Sequence, residues 1–432
     1  MHLPTQPSRC YGLPIELVLE VLQEAQYHDL VPRYKWLKNY ALVCRAWSPY
    51  AQQLLFAYVA LLGGADHCKI FRKIVALSAA RDPEHAAFLK SSICVLGMVI
   101  DHQPFYADIV HLCPNLRELH LSLYHGSFRP DVLRSLAEGG VRLKALRVKT
   151  YHYLPMFQLL SVLPSLEYLE VDCNSVLGNT LIIPPLYPPA WPLRHLRYSN
   201  LRRNTHLFLE WALSGPGAVA RESLEVLEVV SPSFDPSTIA TLGIAPTLRS
   251  LTLQRLFDSD DLTALTSLQE IAVVHPSGTP PTFRLLPAGV VHVALGAIPK
   301  TSGCATTVAG LAAYHERLGG SLRALTYNRK CDSSVDPPLM DVDMLYHFCA
   351  GRGIEFRLMD PPYGFYPGER VPLKPVRSFP RDLPMSSRRP LHAQGEELPW
   401  KTRRKATFAR KIVNVASRAF GGTIPAMALA KP

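Results

Sequence analysis

A short leucine motif, Leu-x-x-Leu-x-Leu, recurs along the central part of this chain and constrains its fold more than any other feature. The first five steps between the central residues of successive copies are 27, 23, 27, 31 and 24 residues. Repetition at intervals of roughly 20–50 residues is typical of a solenoid, in which each unit packs on its neighbours. With aliphatic and aromatic substitutions included, the central residues of the copies are Leu119, Leu146, Leu169, Leu196, Leu227, Leu251, Ile271, Val293, Leu325 and Phe356.

Each copy predicts a short strand, because Leu-x-Leu places both leucines on the same face of a strand. Segments with helical periodicity lie between the copies, at 131–137, 156–163, 206–213 and 238–242. We therefore predict an α/β protein in which residues 85–358 form a curved parallel sheet with outer helices. An ordinary doubly wound α/β domain would also alternate strands and helices, but it has no reason to repeat the leucine motif at every strand.

Residues 11–60 have a different pattern, which predicts a compact helical unit. Pro14 suits the first turn of a helix, where its missing N–H costs nothing. Two apolar stripes at helical spacing follow, separated from a third helical segment by Ser48-Pro49. About fifty residues form only a marginal core, so we expect the unit to pack against a neighbouring domain or a partner protein. The stripes comprise Leu17, Val18, Val21, Leu22 and Ala25, then Trp36, Leu37, Tyr40, Ala41, Cys44 and Trp47.

Two clusters in this unit resemble the signature of the F-box: Leu13-Pro14-Ile15-Glu16-Leu17 and Leu42-Val43-Cys44-Arg45-Ala46-Trp47. An F-box followed by irregular leucine-rich repeats is similar to the large F-box families of fungi. The resemblance implies a non-catalytic substrate receptor of a Skp–cullin–F-box ubiquitin ligase. Its F-box would dock on a Skp-family adaptor, which contacts a cullin, and its repeats would bind an unknown target protein.

The same resemblance assigns roles to apolar residues of the N-terminal unit. Leu17, Val21, Cys44 and Trp47 would hold the helices together. In the alternative reading, all these side chains are ordinary core. The expected anchors in the groove of the adaptor are Leu13, Pro14, Ile15, Val18, Leu42 and Val43.

The residue between the last two leucines of each motif is expected on the concave face of the sheet, opposite the leucines. Charges alternate in sign in the first part of this row, which argues against a phosphate or nucleic-acid cradle. A target-binding face and a solvated face without a ligand are both open interpretations. The candidate target-binding residues are His120, Arg147, Glu170, Arg197, Glu228 and Thr252.

The net charge of +11 belongs almost entirely to residues 361–432, which hold 14 basic and 4 acidic residues. This segment is rich in proline and lacks the apolar density for a core, so we predict that it is largely disordered. Its basic run, Lys401, Arg403, Arg404 and Lys405, is a candidate nuclear-import signal. The alternatives are a solvated charge run or an arm that binds nucleic acid.

The sequence lacks the residue patterns that several classes of protein require. Nine scattered cysteines without a C-x-x-C pair argue against a disulfide framework and a structural zinc site. No secretory signal or membrane-length apolar span is found, so we expect a cytoplasmic or nuclear protein. Motifs of hydrolases, nucleotide-binding loops and zinc proteases are also missing. We therefore expect no enzyme activity, cofactor or metal, and nucleic-acid binding only through the basic tail. A further alternative is an F-box scaffold that works outside any ligase.

Overall fold

The computed structural model describes residues 14–359 except for several short segments. All of the described residues belong to one compact unit, Met1–Ser386. The candidate import signal at 401–405 and Leu13 lie outside them, as does the side chain of Ile15. The segments left out are 26, 29–30, 33, 46, 101–102, 140–141, 174–189, 201–204, 214–218, 258, 275–282, 297–303, 318 and 329–338.

Three helices form the N-terminal part: α1 (Ile15–Ala25), α2 (Tyr34–Ala41) and α3 (Ser48–Ala57). A two-stranded antiparallel ribbon, β1 (Tyr27–His28) and β2 (Val31–Pro32), connects the first two helices. Helix α2 packs closely on α3, and α1 contacts both.

The second helix is shorter than its apolar stripe predicts. The main-chain amides of Leu42 and Val43 bond to the carbonyls of Asn39 and Tyr40, three residues earlier. Such tight bonds end an α-helix, and Leu42, Val43, Arg45 and Trp47 lie in turns. Helix α3 then begins at Ser48, with Pro49 in its first turn.

Among the described residues, twelve strands form one parallel sheet in which every strand pairs with its neighbours in the sequence. A doubly wound domain would reverse its strand order at a switch point, whereas this sequential order is compatible with a solenoid. The strands are β3 (Tyr58–Leu61), β4 (Val95–Ile100), β5 (Glu118–Leu123), β6 (Ala145–Thr150), β7 (Tyr168–Cys173), β8 (His195–Ser199), β9 (Val226–Val230), β10 (Ser250–Leu253), β11 (Glu270–Val273), β12 (His292–Leu295), β13 (Ala324–Asn328) and β14 (Glu355–Met359).

Each of the ten leucine-motif copies lies on a strand, but strands β3 and β4 were not predicted. The sheet therefore begins at Tyr58 rather than near residue 85, and its first strand directly follows α3. Because Leu54, Leu55 and Tyr58 fit helical spacing, the sequence pattern does not show that the helix ends at Ala57 and a strand begins at Tyr58. In β4 the sequence VLGMVI is continuously apolar and carries no leucine motif.

Helices connect most of the strands, and the four predicted helical segments all overlap helices of the structure. The 238–242 segment belongs to a 3-10 helix, Pro236–Leu242. The α-helices of the array are α4 (Gly64–Arg81), α5 (Pro83–Ser92), α6 (Pro104–His111), α7 (Pro130–Glu138), α8 (Tyr153–Leu160), α9 (Thr205–Leu213), α10 (Ala220–Ser223), α11 (Cys304–Arg317) and α12 (Leu339–Ala350).

The leucine face of the sheet forms the core. Leu119, Leu146 and Leu169 are buried in successive strands, as their spacing predicts. Just before most of the strands begin, a main-chain amide donates to a carbonyl one repeat earlier. The amide of Lys144 donates to the carbonyl of Arg117 at 2.8 Å, and the amide of Glu167 donates to the carbonyl of Lys144 at 2.8 Å. This ladder continues to Glu355 and fixes the register of neighbouring repeats.

Candidate functional site

The N-terminal helices keep large apolar side chains on their surface. Leu42, directly after α2, is 85% exposed, and Trp36 on α2 is exposed as well. Pro14 is exposed, while Val43 is partly buried. Leu17 and Val21, one turn apart on α1, are also exposed. Because burying apolar surface is favourable, these side chains would contribute binding energy wherever another surface covered them.

Two expectations about α1 need correction. Val18, predicted as an adaptor anchor, is 1% exposed and lies in the core with Leu22. Leu17, predicted as core, is 46% exposed, and Val21 is exposed beside it. The helix is rotated by about one residue, or roughly 100°, from the expected orientation. The apolar stripe of the sequence is wide enough to contain both faces, so it could not reveal which edge packs inward.

Aromatic contacts connect the second helix to the turn that follows it. The rings of Trp36 and Tyr40 meet edge-on with centroids 6.3 Å apart, and those of Tyr40 and Trp47 meet at 6.2 Å. Cys44 and Trp47 are partly buried. These contacts agree with the predicted role of Trp47 in holding the helices together.

The residues predicted to line the concave face form one continuous row across the sheet, which we call the charged row. Neighbouring members are register partners in the parallel ladders. They lie on the face opposite the leucines, as predicted from the alternation of side chains. From β5 to β10 the row consists of His120, Arg147, Glu170, Arg197, Glu228 and Thr252.

The charges of this row are largely paired with each other. Arg147 contacts Glu170 at 3.1 Å and Glu118 at 3.8 Å. Arg197 contacts Glu170 at 3.4 Å and Glu228 at 3.8 Å. These side chains are mostly buried, with at most 14% of their surface exposed. Alternating signs on adjacent strands are thus paired across neighbouring repeats, and the row offers a target little exposed charge.

Two histidines extend the network at its ends. His120 Nε2 lies 2.5 Å from Glu118 Oε1, and His195 Nε2 lies 3.2 Å from Glu228 Oε1. The ring of His195 also meets that of Tyr168 edge-on, with centroids 4.4 Å apart. Each imidazole is therefore held beside a carboxylate on the polar face of the sheet.

Burial and neighbouring charges shift the pKa values of two groups on this face, Tyr168 and Arg197. Burial raises the pKa of the Tyr168 phenol well above its ordinary value, and the Glu170 carboxylate raises it further. Burial alone would lower the pKa of Arg197, but the carboxylates of Glu170 and Glu228 outweigh it, so the pKa is raised. Tyr168 therefore stays neutral and Arg197 stays charged at physiological pH.

On strands β10 to β13 the same face is buried even more completely. Ser250 donates to Glu270, His292 Nδ1 lies 3.3 Å from Glu270 Oε2, and His292 Nε2 lies 2.8 Å from Thr326 Oγ1. Carboxylate, imidazole and hydroxyl are thus in the order used for nucleophilic catalysis. None of them has surface that a substrate could reach, however, and Thr252 is buried with them. The chain of contacts joins strands β10 to β13 inside the protein.

Sequence reasoning missed an exposed group that we call the aromatic edge, formed by Tyr124, Tyr151 and Leu154. Tyr124 and Tyr151 directly follow strands β5 and β6, and their rings lie 5.8 Å apart. Tyr124 and Leu154 are exposed, and Tyr151 is partly exposed. The signal was present in the sequence, because the dipeptide Tyr-His recurs 27 residues apart, the same step as between the leucine motifs.

The histidines of these dipeptides, His125 and His152, are partly buried and lie close enough to interact electrostatically. His125 Nδ1 lies 3.4 Å from the carbonyl of Ile100, which makes this nitrogen the proton donor. Burial lowers the pKa of His125, the bond to Ile100 partly offsets this, and the nearby His152 lowers it further. His125 is therefore neutral at physiological pH.

The described part of the chain contains neither a candidate metal site nor a candidate membrane span. Its histidine, cysteine and acidic side chains form no group of three or more that could hold a metal ion. None of its helices combines the length and apolar character needed to cross a membrane.

Comparison with known proteins gives no assignment. The sequence matches no family model and no curated protein.

Proposed function

We propose that this chain is an F-box protein with leucine-rich repeats and serves as the substrate receptor of a Skp–cullin–F-box ubiquitin ligase. The N-terminal helices would bind a Skp-family adaptor, and the repeat array would bind the target. The protein itself would perform no chemistry. Its role would be to raise the effective concentration of target lysines near a ubiquitin-loaded enzyme.

The observation that carries the proposal is the exposed apolar surface on a small helical unit joined to a long parallel sheet. Leu17, Val21 and Leu42 stand on that surface together with Pro14. Interfaces between proteins concentrate their energy in a few such apolar anchors. We therefore revise the proposed adaptor contacts to include Leu17 and Val21 and to exclude Val18.

For the target we propose contact through the aromatic edge. The charged row is mostly paired and buried, whereas Tyr124 and Leu154 are exposed on connections that follow neighbouring strands. Tyrosine is enriched among the residues that dominate binding energy, because it offers a large rigid ring and a hydroxyl. A rigid sheet would hold this edge at a fixed distance from the adaptor.

Co-purification of the full chain with a Skp-family adaptor tests the proposal. The double change Pro14→Ala/Val43→Asp places a charge in the proposed interface and should abolish co-purification. Pro130→Ala/Val219→Asp makes the same chemical changes at exposed positions of the array and should have no effect. Undiminished binding by the first variant would contradict the adaptor role.

An F-box scaffold that acts outside a ligase remains the second candidate, since it needs the same adaptor contact. The cullin separates the two functions. If the adaptor co-purifies with the chain but the cullin is repeatedly absent, the scaffold role is favoured. If both are present, the receptor role is supported.

The basic C-terminal segment is proposed to direct part of the protein to the nucleus through Lys401, Arg403, Arg404 and Lys405. A chain that ends at residue 360 should lose nuclear accumulation and keep its adaptor binding. If instead it loses salt-dependent binding to RNA or DNA, the segment is an arm that binds nucleic acid.

A further inference from the structure

Helix α4 carries an apolar stripe on its outer surface. Ile70, Ile74 and Leu77 are 56%, 58% and 50% exposed. Their spacing of four and three residues places them within roughly 60° of the helix circumference and along about 10 Å of its axis. Apolar residues at this spacing normally form the buried face of an amphipathic helix.

The inner side of α4 is already used for packing within the protein. Cys68 is buried, and Arg72 forms an ion pair of 3.0 Å with Asp108 on helix α6. Lys69 and Arg72 both lie over the ring of Phe105, at 5.6 Å from its centre. The stripe points away from these contacts and is a second, separate surface of the helix.

The charges beside the stripe indicate what can bind there. Lys69 pairs with Asp66 at 3.3 Å, and Arg72 is used by α6. Lys73 and Arg81 are exposed, and neither makes an ion pair within the described part of the chain. An occupant would therefore need apolar residues for the stripe and carboxylates for these two cations.

Two other occupants fit the surface less well. A second copy of α4 would bring the same uncompensated cations together. A membrane surface usually binds a helix through a wide apolar face with aromatic residues, whereas the exposed part of this stripe has three aliphatic side chains and no aromatic ring. A narrow stripe with this spacing is instead the seam along which two helices pack.

We propose that α4 is the docking face for an acidic amphipathic helix of a partner polypeptide. Leucine-like side chains of the partner pack along Ile70, Ile74 and Leu77, and its acidic residues pair with Lys73 and Arg81. This surface is independent of the proposed F-box function and of the aromatic edge.

A pair of synthetic helical peptides tests the proposal with the full-length protein. Both carry leucines at helical spacing, flanked by glutamates in one peptide and by lysines in the other, and fluorescence anisotropy measures their binding. We expect the acidic peptide to bind at least about tenfold more tightly than the basic one, as charge complementarity requires. Equal affinities, or no binding of the acidic peptide, would overturn the proposal.

Variants on α4 then locate the site. Ile74→Glu should weaken binding of the acidic peptide by about tenfold or more, because it places a carboxylate in the apolar seam. The double change Lys73→Glu/Arg81→Glu should reverse the preference toward the basic peptide. Ala76→Glu adds a charge at an exposed position on another side of the helix and should leave the affinity unchanged. Equal losses in all three variants would contradict the site.

Two controls separate this proposal from its alternatives. Vesicles of phosphatidylcholine and phosphatidylserine should not bind the protein through α4; binding that Ile74→Glu abolishes, without peptide binding, would show a membrane surface instead. Adaptor binding, measured on the same samples, should be unaffected by the α4 variants. Failure of the peptide test therefore leaves the proposed F-box function standing, and failure of adaptor binding leaves the α4 site standing.

Discussion

The hydroxyl of Ser165 donates a hydrogen bond of 2.9 Å to the main-chain carbonyl of Leu143, one repeat earlier. Ser165 directly precedes the first leucine of its motif. The same position in other repeats makes the same kind of bond to the preceding repeat, in the pairs Asn115–Ser91, Ser223–Leu193, Thr247–Arg221 and Ser267–Pro246. Small polar residues before the leucine thus join successive repeats.

We expect Ser165→Ala to lower the free energy of unfolding by about 1 kcal/mol, because the Leu143 carbonyl loses its partner at a partly buried position. Urea denaturation of the full chain measures the change. Ser161→Ala is the matched control, since that hydroxyl bonds to Gln158 within its own turn and is exposed. A smaller loss in Ser165→Ala than in Ser161→Ala would contradict the bridging role.

Removing Arg147 should have a larger effect. We expect Arg147→Met to cost about 3 kcal/mol of stability, because it leaves Glu118 and Glu170 buried without this cation. Adding Glu118→Gln to that variant should recover part of the loss.

A second ion pair in the same repeats serves as the control. Lys144 contacts Glu167 at 2.9 Å, but both side chains are well exposed. Lys144→Met should therefore cost less than about 1 kcal/mol. Thermal and urea unfolding of both variants test whether the fold depends on the pairing within the buried row. Equal costs would show that it does not.

The lowered pKa of His125 predicts a pH dependence of stability. Because the folded pKa lies below the ordinary value of 6.5, the unfolded chain takes up this proton first as the pH falls. The contribution of His125 is complete above pH 6.5 and is lost as the pH falls through the folded pKa. His125→Asn keeps a donor for the Ile100 carbonyl but does not titrate. As the pH falls from 6.5 to 5, this variant should therefore lose less free energy of unfolding than the wild type loses. Parallel stability curves for the two proteins would contradict this prediction.

The aromatic edge should be required for target binding but not for folding. We expect Tyr124→Ala/Tyr151→Ala to melt within a few degrees of the wild type, because Tyr124 is exposed and Tyr151 is only partly buried. Proximity labelling in the presence of a proteasome inhibitor should lose proteins that the wild type labels. Met344→Ala, at an exposed position on α12, is the control and should keep them. An unchanged set of labelled proteins would exclude the aromatic edge.

Much of the array could be predicted from sequence because its leucines alternate on strands at regular intervals. The charged row followed from the same alternation, since the residue between two inward leucines must face outward. Strands β3 and β4 could not be found in this way. Tyr58–Leu61 continues an apolar helical pattern, and Val95–Ile100 is apolar on both faces.

What the row does could not be read from the sequence. The alternation of Arg147, Glu170 and Arg197 is equally compatible with a ligand surface and with internal pairing. Only the distances between charged side chains on neighbouring strands reveal the pairing. The orientation of α1 was unpredictable for a similar reason, because Leu17 and Val18 are equally apolar and only packing against α2 and α3 decides which is buried.

The most direct test of the F-box assignment is the affinity of the full chain for a purified Skp-family adaptor. Leu17→Asp and Leu42→Asp change exposed residues of the proposed interface, and Leu154→Asp changes an exposed leucine of the array. We predict that the first two each weaken binding by about tenfold or more, while Leu154→Asp binds like the wild type. Equal affinity of all four proteins, or no binding by the wild type, would contradict the assignment.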